Sequence, residues 1–483
     1  MNSFLALGIV VGYFALLMLV SWLTSRNSDN FTFFTANRSS PWYLVAYGML
    51  GATLSGVTFI SVPAEVGNSA FSYLQFVFGN LVGYWLVAFL LLPFYYRLKL
   101  ISIYSFLEER MGTFSHQTAS FFFLISKLIG AAFRLYLVAV VLQYAFFSAF
   151  GLPFWANVCI TVFLIWVYTY RAGIKTIVWT DTLQTTFLVL AVLLTVYVIS
   201  KIYVADDSIG VFQRVYHSDL SQVFFWDWRS PNFFWKQFVA GIFMTVAING
   251  MDQDLMQKNL TCKSKREAQK NMLVFSFLFV FVVILFMSLG GMLYQYARHA
   301  GIDVANAGDD LYPLLALNHL GSAVAIAFLL GITAASFSSA DSALTSMTTA
   351  FSIDFLQMDD LKNTMKMKYR KWIHLGFAVL LTITIIAFHI INDENVVIAL
   401  FRAAGYTYGP ILGLFIFAIL FRRKVKDRLV PFIALGAPLL TFVVSAFSKQ
   451  LFNGYEFGFE LLIMNGLLML VGLFLISANN QAG

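Results

Sequence analysis

The sequence predicts an all-α polytopic membrane protein, and three observations carry that prediction. Of its 483 residues, 60% are hydrophobic and 11% charged, whereas soluble domains are roughly a quarter charged. About thirteen runs of roughly 20 apolar residues follow one another, each bounded by polar residues, Gly or Pro, and that length crosses a hydrocarbon core. Every second loop is rich in Lys and Arg, the asymmetry that holds short loops on the cytoplasmic side. The formal net charge of +7 does not indicate a nucleic-acid partner, because the bases are not gathered on one solvated face. Cys159 and Cys262 stand apart without clustered ligand spacing, which argues against a disulfide framework or structural zinc.

The runs fall near residues 4–24, 42–66, 71–98, 118–150, 153–170, 177–203, 232–258, 271–298, 311–350, 371–392, 395–421, 428–448 and 457–477. The ninth is long enough to hold a surface helix before its span. One membrane domain over 1–483 accounts for the chain. The basic loops begin with Arg26 and Arg38, continue through a group with Lys258, Lys263, Lys265 and Arg266, and end with Arg422, Arg423, Lys424, Lys426 and Arg428. The amino terminus is therefore expected outside and the carboxyl terminus inside a plasma membrane, bacterial inner membrane being the expected case. "MNS" lacks a basic n-region and the first run exceeds a typical signal-peptide core, so it is read as a retained helix.

In hydrocarbon an unpaired backbone group is costly, so unwound helix is tolerated only where protein or a wet cavity supplies partners. The second run, WYLVAYGMLGATLSGVTFISVPAEV, gathers Gly48, Gly51 and Gly56 among Thr53, Ser55 and Thr58, with Pro63 following. A break near Gly51–Gly56 is expected; small residues that merely permit close helix packing are the alternative. The seventh run, FVAGIFMTVAINGMDQDLMQKNL, repeats the theme with Gly241, Thr245, Asn249 and Gly250 before Asp252, Gln253 and Asp254. Interrupted helices at matching places in two inverted halves point to a transporter's midplane site. The two runs lie five segments apart, which suits a five-plus-five inverted repeat, the first over about 42–230 and the second over about 231–450, with 1–41 and 451–483 outside it.

The ninth run carries GITAASFSSADSALTSMTTA, residues 331–350. Counted from Ala335, Ser338, Ser339, Ser342 and Ser346 share one helical stripe. A lone membrane serine bonds its own backbone, but a stripe beside broken backbone suits a hard cation that takes oxygen ligands. Half of a sodium site is expected there. Asp341 flanks the stripe, and Asp181, in TIVWTDTLQTTF, sits a little inside the cytoplasmic end of the sixth run; intramembrane carboxylates are functional candidates by default. Asp181 with Ser342 suits a second cation, and pairing of Asp181 with Lys175 or Arg171 is the alternative. Arg134, in LIGAAFRLYLVAVVLQ, lies too deep to snorkel easily. Its planar fork fits a solute carboxylate; a structural pair with a buried acid or freed carbonyls is the other reading. Arg402 is assigned to a pair with Glu394. Asp252 and Asp254 are assigned to a cytoplasmic network or gate; Tyr406 and Tyr408 are read with the other aromatics as packing or lipid-facing surface, a cavity wall being the alternative.

Taken together, AASFSSADSALTS, VWTDTLQ, MQKNLTCKSKREAQK and TLSGVTFISVPAEV make the chain resemble, over nearly its whole length, the sodium/solute symporter family. Members of that family carry sugars, proline, sialic acid, iodide, vitamins and monocarboxylates. The resemblance implies a LeuT-type fold, with a broken first helix in each repeat. It implies a main sodium site made by the carbonyls of Gly51, Leu54 and Ala335 with the hydroxyls of Ser338 and Ser339. A second sodium site, present in some members, would take Asp181 and Ser342 with Asp341 beside it, a position that relatives often fill with Ser or Thr. Thr53, Ser55 and Thr58 look like the solute-facing residues of the sialic acid carriers, with Asn80 and Arg134 near positions that complete that pocket and Asn249 set beside them. Those carriers have glutamine where Asn80 stands. SVPAEV and FYYRLKLISIYSFLEERMG look like the monocarboxylate and iodide branch, so both hints favour an anionic solute.

The expected function is sodium-coupled symport of a small polar solute that carries a carboxylate, by alternating access. Sodium-coupled sugar or amino-acid symport, and a proton-coupled permease of the same architecture, stay open. The expected partners are the solute, Na⁺ and the bilayer, with no cofactor beyond the coupling ion. An intramembrane aspartyl hydrolase built on Asp181 and Asp341 is disfavoured, because the chain lacks the Gly-rich acidic motif such enzymes need. No Ser/His or HExxH arrangement points to another enzyme.

Overall fold

A helix satisfies its backbone within its own segment, which is why long apolar runs wind into helices in lipid. The computed structural model describes residues 3–24, 30–98, 100–170, 173–206, 210–304, 307–358, 364–391, 396–421 and 423–478. In chain order the principal helices are α1 (Ser3–Thr24), α2 (Trp42–Thr53), α3 (Gly56–Ser69), α4 (Tyr73–Leu98), α5 (Thr113–Phe150), α6 (Phe154–Thr169), α7 (Ile174–Asp206) and α8 (Phe234–Thr245). They continue with α9 (Gln253–Leu260), α10 (Lys265–His299), α11 (Leu311–Asn318), α12 (Ser322–Phe355), α13 (Thr364–Ile391), α14 (Val396–Leu420), α15 (Val430–Ala446) and α16 (Leu461–Ile476). Among the described residues the single sheet pairs Lys424–Val425 with Ser477–Ala478.

Among the described residues nine helices are long and apolar enough to cross a membrane, and the bent pair α2–α3 makes a tenth. Helices α6 and α16 are shorter and apolar. The ninth run divides, as its length suggests, into the short α11 and the long α12.

Both interruptions are present. Helices α2 and α3 meet at 62°, with Leu54 (φ −82, ψ 82) and Ser55 (φ −78, ψ 175) leaving helical geometry. The amide of Ser55 donates to Thr53 rather than to Gly51, and the ladder resumes with Phe59 donating to Ser55. In the seventh run α8 widens into a π-turn over Val246–Gly250, after which Met251 and Asp252 are non-helical. The second break thus falls just past Gly250, because the Asp252 carboxylate accepts the Asp254 amide at 2.8 Å and caps the start of α9.

Helix α12 runs through the middle of the bundle: every residue from Gly331 to Ala350 is buried. It packs on α5 and α7, so its hydroxyls face other helices rather than lipid. Small residues allow close approach elsewhere. A β-carbon on Gly241 of α8 would collide with the Phe76 carbonyl of α4, and one on Gly79 would collide with the Phe238 carbonyl of α8. Glu394, and with it the expected pair to Arg402, lies outside the described residues.

Replacement of Gly241 by Val is expected to cost about 1–3 kcal/mol through overpacking, read as a lowered melting temperature in detergent. Gly376→Ala, at a position where a β-carbon meets nothing within 4 Å, is expected to leave that temperature unchanged or slightly raised.

Candidate ion and solute site

The break in the second run meets the hydroxyl stripe. The Gly51 amide donates to Thr185 Oγ1 at 2.9 Å, and that hydroxyl donates to the Asp181 carbonyl at 2.7 Å, so α2 is stitched to α7 at the break. The point a β-carbon would occupy on Gly51 is 3.4 Å from Ser338 Oγ of α12. A β-carbon there would come within 2.5 Å of Thr185 Oγ1, so it is the approach of α2 to α7 that glycine leaves open. Ser339 donates to the Ala335 carbonyl at 3.2 Å, which places two of the expected sodium oxygens in contact. Ser346, further along the stripe, bonds its own backbone at Ala343 (3.1 Å).

Asp181, Asp341 and Ser342 also come together, but around an ammonium. Lys258 Nζ of α9 lies 2.8 Å from Asp181 Oδ2 and donates to Ser342 Oγ at 2.7 Å. Ser338 donates to Asp181 Oδ1 at 2.6 Å, Ser342 to Asp341 Oδ1 at 3.3 Å, and Tyr168 to Asp341 Oδ2 at 2.8 Å. The partner of Asp181 is therefore Lys258 rather than Lys175, and Arg171 lies outside the described residues. The loop count had assigned Lys258 to a basic cytoplasmic loop, yet its side chain is 1% exposed. Two like unit charges 4 Å apart repel by about 4 kcal/mol at an effective dielectric of 20, so a sodium ion and this ammonium do not share the same oxygens cheaply.

A cavity of about 200 Å³ opens beside the break. Thr53, Ser55, Thr58, Asn80, Arg134 and Asn249 all line it, as does Ser339. Thr53 Oγ1, Arg134 Nε, Asn249 Oδ1 and Ser61 Oγ are buried without a hydrogen-bond partner among the described residues, which suits a polar guest. Asn80 differs: turned so that both ends of its amide are satisfied, its nitrogen donates to the carbonyls of Phe76 (3.2 Å) and Gly241 (3.0 Å) and to Thr245 Oγ1 (3.0 Å). Its amide is spent joining α4 to α8. Tyr408 lines the cavity, whereas the Tyr406 carbonyl accepts from Asn465 at 2.8 Å and its ring lies 6.3 Å from that of Phe442.

Along one side the cavity is walled by Ser61, Glu65, Ser69 and Tyr73. Toward α9 it meets charge. Lys127 pairs with Asp254 at 2.6 Å and with Asp252 at 3.3 Å, Tyr408 donates to Asp252, and Asp254 stands 3.8 Å from Lys258. Asp252 and Asp254 thus belong to one buried ionic cluster with Lys127 and Lys258. Lys127 was missed, although it interrupts FFFLISKLIG and precedes Arg134 by two helical turns on the same face.

Two interrupted helices, a hydroxyl stripe at one break and a polar cavity between them are the construction of a secondary transporter. The model of the sodium:solute symporter family matches residues 33–427, and the chain belongs to that family. It is 24% identical over 438 residues to the sodium/sialic acid symporter SiaT of Proteus mirabilis, covering 87% of this chain and 86% of that one. It is 26% identical to the sodium/sialic acid symporter NanT of Aliivibrio fischeri over 85% of this chain and 82% of the relative. It is also 26% identical to the sodium-coupled monocarboxylate transporter 1 of Xenopus laevis, over 80% of this chain and 63% of the relative. Its fold matches the substrate-bound outward-open structure of a Na⁺-coupled sialic acid symporter with a TM-score of 0.81, 20% identity and 97% coverage of both chains. It also matches Mhp1, a nucleobase-cation-symport-1 family transporter, in a closed conformation with bromovinylhydantoin bound, at a TM-score of 0.51, 15% identity and 92% and 93% coverage.

Removing Lys127 leaves two buried carboxylates short of a counter-charge, a loss of about 3–5 kcal/mol for a broken buried pair. Lys127→Met is therefore expected to lower thermal stability sharply. Lys127→Met combined with Asp254→Asn is expected to recover most of it, measured by thermal unfolding of the purified variants.

Proposed function

We propose that the protein is a sodium-coupled symporter for a small solute bearing a carboxylate. The observation that carries this reading is the placement of Arg134: it lines the cavity together with Thr53 and Thr58, with its Nε buried and unpartnered among the described residues. A guanidinium fork pairs bidentately with carboxylate. The two sialic acid symporters and the monocarboxylate carrier among the relatives support an anion of that class.

In this reading the bundle crosses the membrane about thirteen times, counting α6, α16 and the α8–α9 segment. Two five-helix repeats, over about residues 42–230 and 231–450, are flanked by 1–41 and 451–483. The basic loops put the carboxyl terminus inside a bacterial inner membrane, so the wall formed by Ser69 and Tyr73 faces outward and the Lys127–Asp252–Asp254 cluster closes the inner end. Sodium is held by the carbonyls of Gly51, Leu54 and Ala335 and the hydroxyls of Ser338 and Ser339. It fixes the bend between α2 and α3, and that bend presents Thr53, Ser55 and Thr58 to the solute. Release of sodium inward loosens both elements together. For a neutral solute one charge moved through 100 mV gains about 2.3 kcal/mol, whereas a monoanionic solute cancels that charge and leaves the roughly 1.4 kcal/mol of a tenfold sodium gradient.

Thermal shift of the purified protein against sialic acids, monocarboxylates, sugars and amino acids, in sodium or in potassium, tests the assignment. A stabilisation by carboxylates that needs sodium and vanishes in Arg134→Ala is expected; an equal response to neutral sugars would remove the anion clamp. Ser339→Ala is expected to raise the sodium concentration for half-maximal uptake about tenfold or more, equivalent to losing one hydrogen-bond-strength ligand of about 1.4 kcal/mol. Uptake that follows a pH gradient in the absence of sodium would instead select a proton-coupled permease.

A further inference from the structure

We infer that Lys258 supplies the second positive charge of the coupling site from within the chain, so that one sodium ion moves with each solute. The inference rests on the symport reading above and concerns how many ions the site admits. Asp181, Asp341 and Ser342 have the oxygens a second alkali cation would use, yet each of those oxygens already has a hydrogen-bonding or ionic partner. Lys258 takes Asp181 Oδ2 and Ser342 Oγ, Ser338 takes Asp181 Oδ1, and Asp341 receives Ser342 and Tyr168.

The ammonium is suited to standing in for an ion. It is a compact point charge with three rotatable donors, here reaching oxygens on two helices, Asp181 on α7 and Ser342 on α12. Lys258 is 1% exposed, as is Asp181, and Asp341 is fully buried. Sodium entering this cluster would lie against a fixed like charge with little water between them. Unlike sodium, the ammonium cannot leave with the solute. It withdraws only if α9 withdraws, and α9 is the inner half of the second broken segment. The same helix carries Asp254, which Lys127 of α5 holds at 2.6 Å. The tethered charge therefore also fastens the inner end of the bundle: its contacts to Asp181 and Ser342 must part before α9 can swing away.

The consequence is electrical. With one sodium and one monoanionic solute the cycle carries no net charge, so a tenfold sodium gradient sustains about tenfold accumulation whatever the membrane potential.

Equilibrium binding of sodium-22 to the full-length protein in lipid nanodiscs, with no solute added, reads the number of ions directly. About one sodium per wild-type chain is expected. About two are expected for Lys258→Met, with saturation becoming sigmoidal, and about one for Lys258→Met with Asp181→Asn, which removes the acid along with the base. Two ions in the wild type, or one in a folded Lys258→Met variant, would overturn the inference while leaving sodium coupling intact. If Lys258→Met does not fold, the wild-type stoichiometry still decides, together with the effect of an imposed membrane potential on N-acetylneuraminate uptake: no effect is expected, and a potential-driven increase would overturn it. No sodium binding at all would defeat the symport reading, and this inference with it.

Discussion

A helix interrupted inside hydrocarbon must have its freed carbonyls met by something else, and that constraint organises this molecule. At Leu54 and Ser55 the backbone leaves the helix, and the Ser55 amide turns to Thr53. What stands opposite is α12, buried along every residue from Gly331 to Ala350 and carrying Ser338 and Ser339 where the break passes. The interrupted backbone and the Ser338 and Ser339 hydroxyls form an oxygen-rich seam between two otherwise apolar helices. In the proposed reading a cation placed there completes the coordination of both and ties the angle between α2 and α3 to its presence.

The charged residues are the second layer of the same design. Asp181, Asp252 and Asp254 are buried carboxylates met by the buried bases Lys127 and Lys258, and the buried Asp341 beside them accepts from Tyr168 and Ser342. Breaking such a pair by removing one partner costs far more than the pair contributes. The network is therefore poorly suited to gradual adjustment and well suited to two arrangements, joined or parted. It links α5, α7, α9, α12 and, through Tyr408, α14. In the proposed reading the solute and sodium bind on one side of it. Movement of α9 is the simplest event that would part its contacts and open the other side, which ties the coupling chemistry to the gate.

Much of this was legible in the sequence because the membrane makes errors expensive. Glycines and hydroxyls packed into TLSGVTF have few uses in oil, and the break falls within them. The stripe on α12 followed from helical spacing, and all six proposed solute residues line one cavity. What sequence could not resolve were choices among partners. Lys258 lies at the end of α9 close to a truly basic loop, so counting bases placed it in water, and only the fold turns its ammonium inward to Asp181. Asn80 lines the cavity as expected, and the close approach of α4 and α8 at Gly79 and Gly241 also engages its amide in helix packing, which the sequence does not reveal. The position of the second break depended on a single cap, Asp252, rather than on the glycines before it. Lys127 is visible in the sequence as a charge inside an apolar run, two turns before Arg134 on the same face.

The seam between the broken backbone and α12 is tested most directly by a high-resolution density map of the protein in lipid, recorded once in sodium and once with sodium replaced by N-methylglucamine. The account predicts a peak present in sodium alone, enclosed by the carbonyl oxygens of Gly51, Leu54 and Ala335 and the hydroxyls of Ser338 and Ser339, at about the 2.3–2.6 Å typical of oxygen around hard cations. Loss of that peak should be accompanied by a change in the 62° bend between α2 and α3. Identical maps in the two salts, with the bend unchanged and no density in the seam, would contradict it.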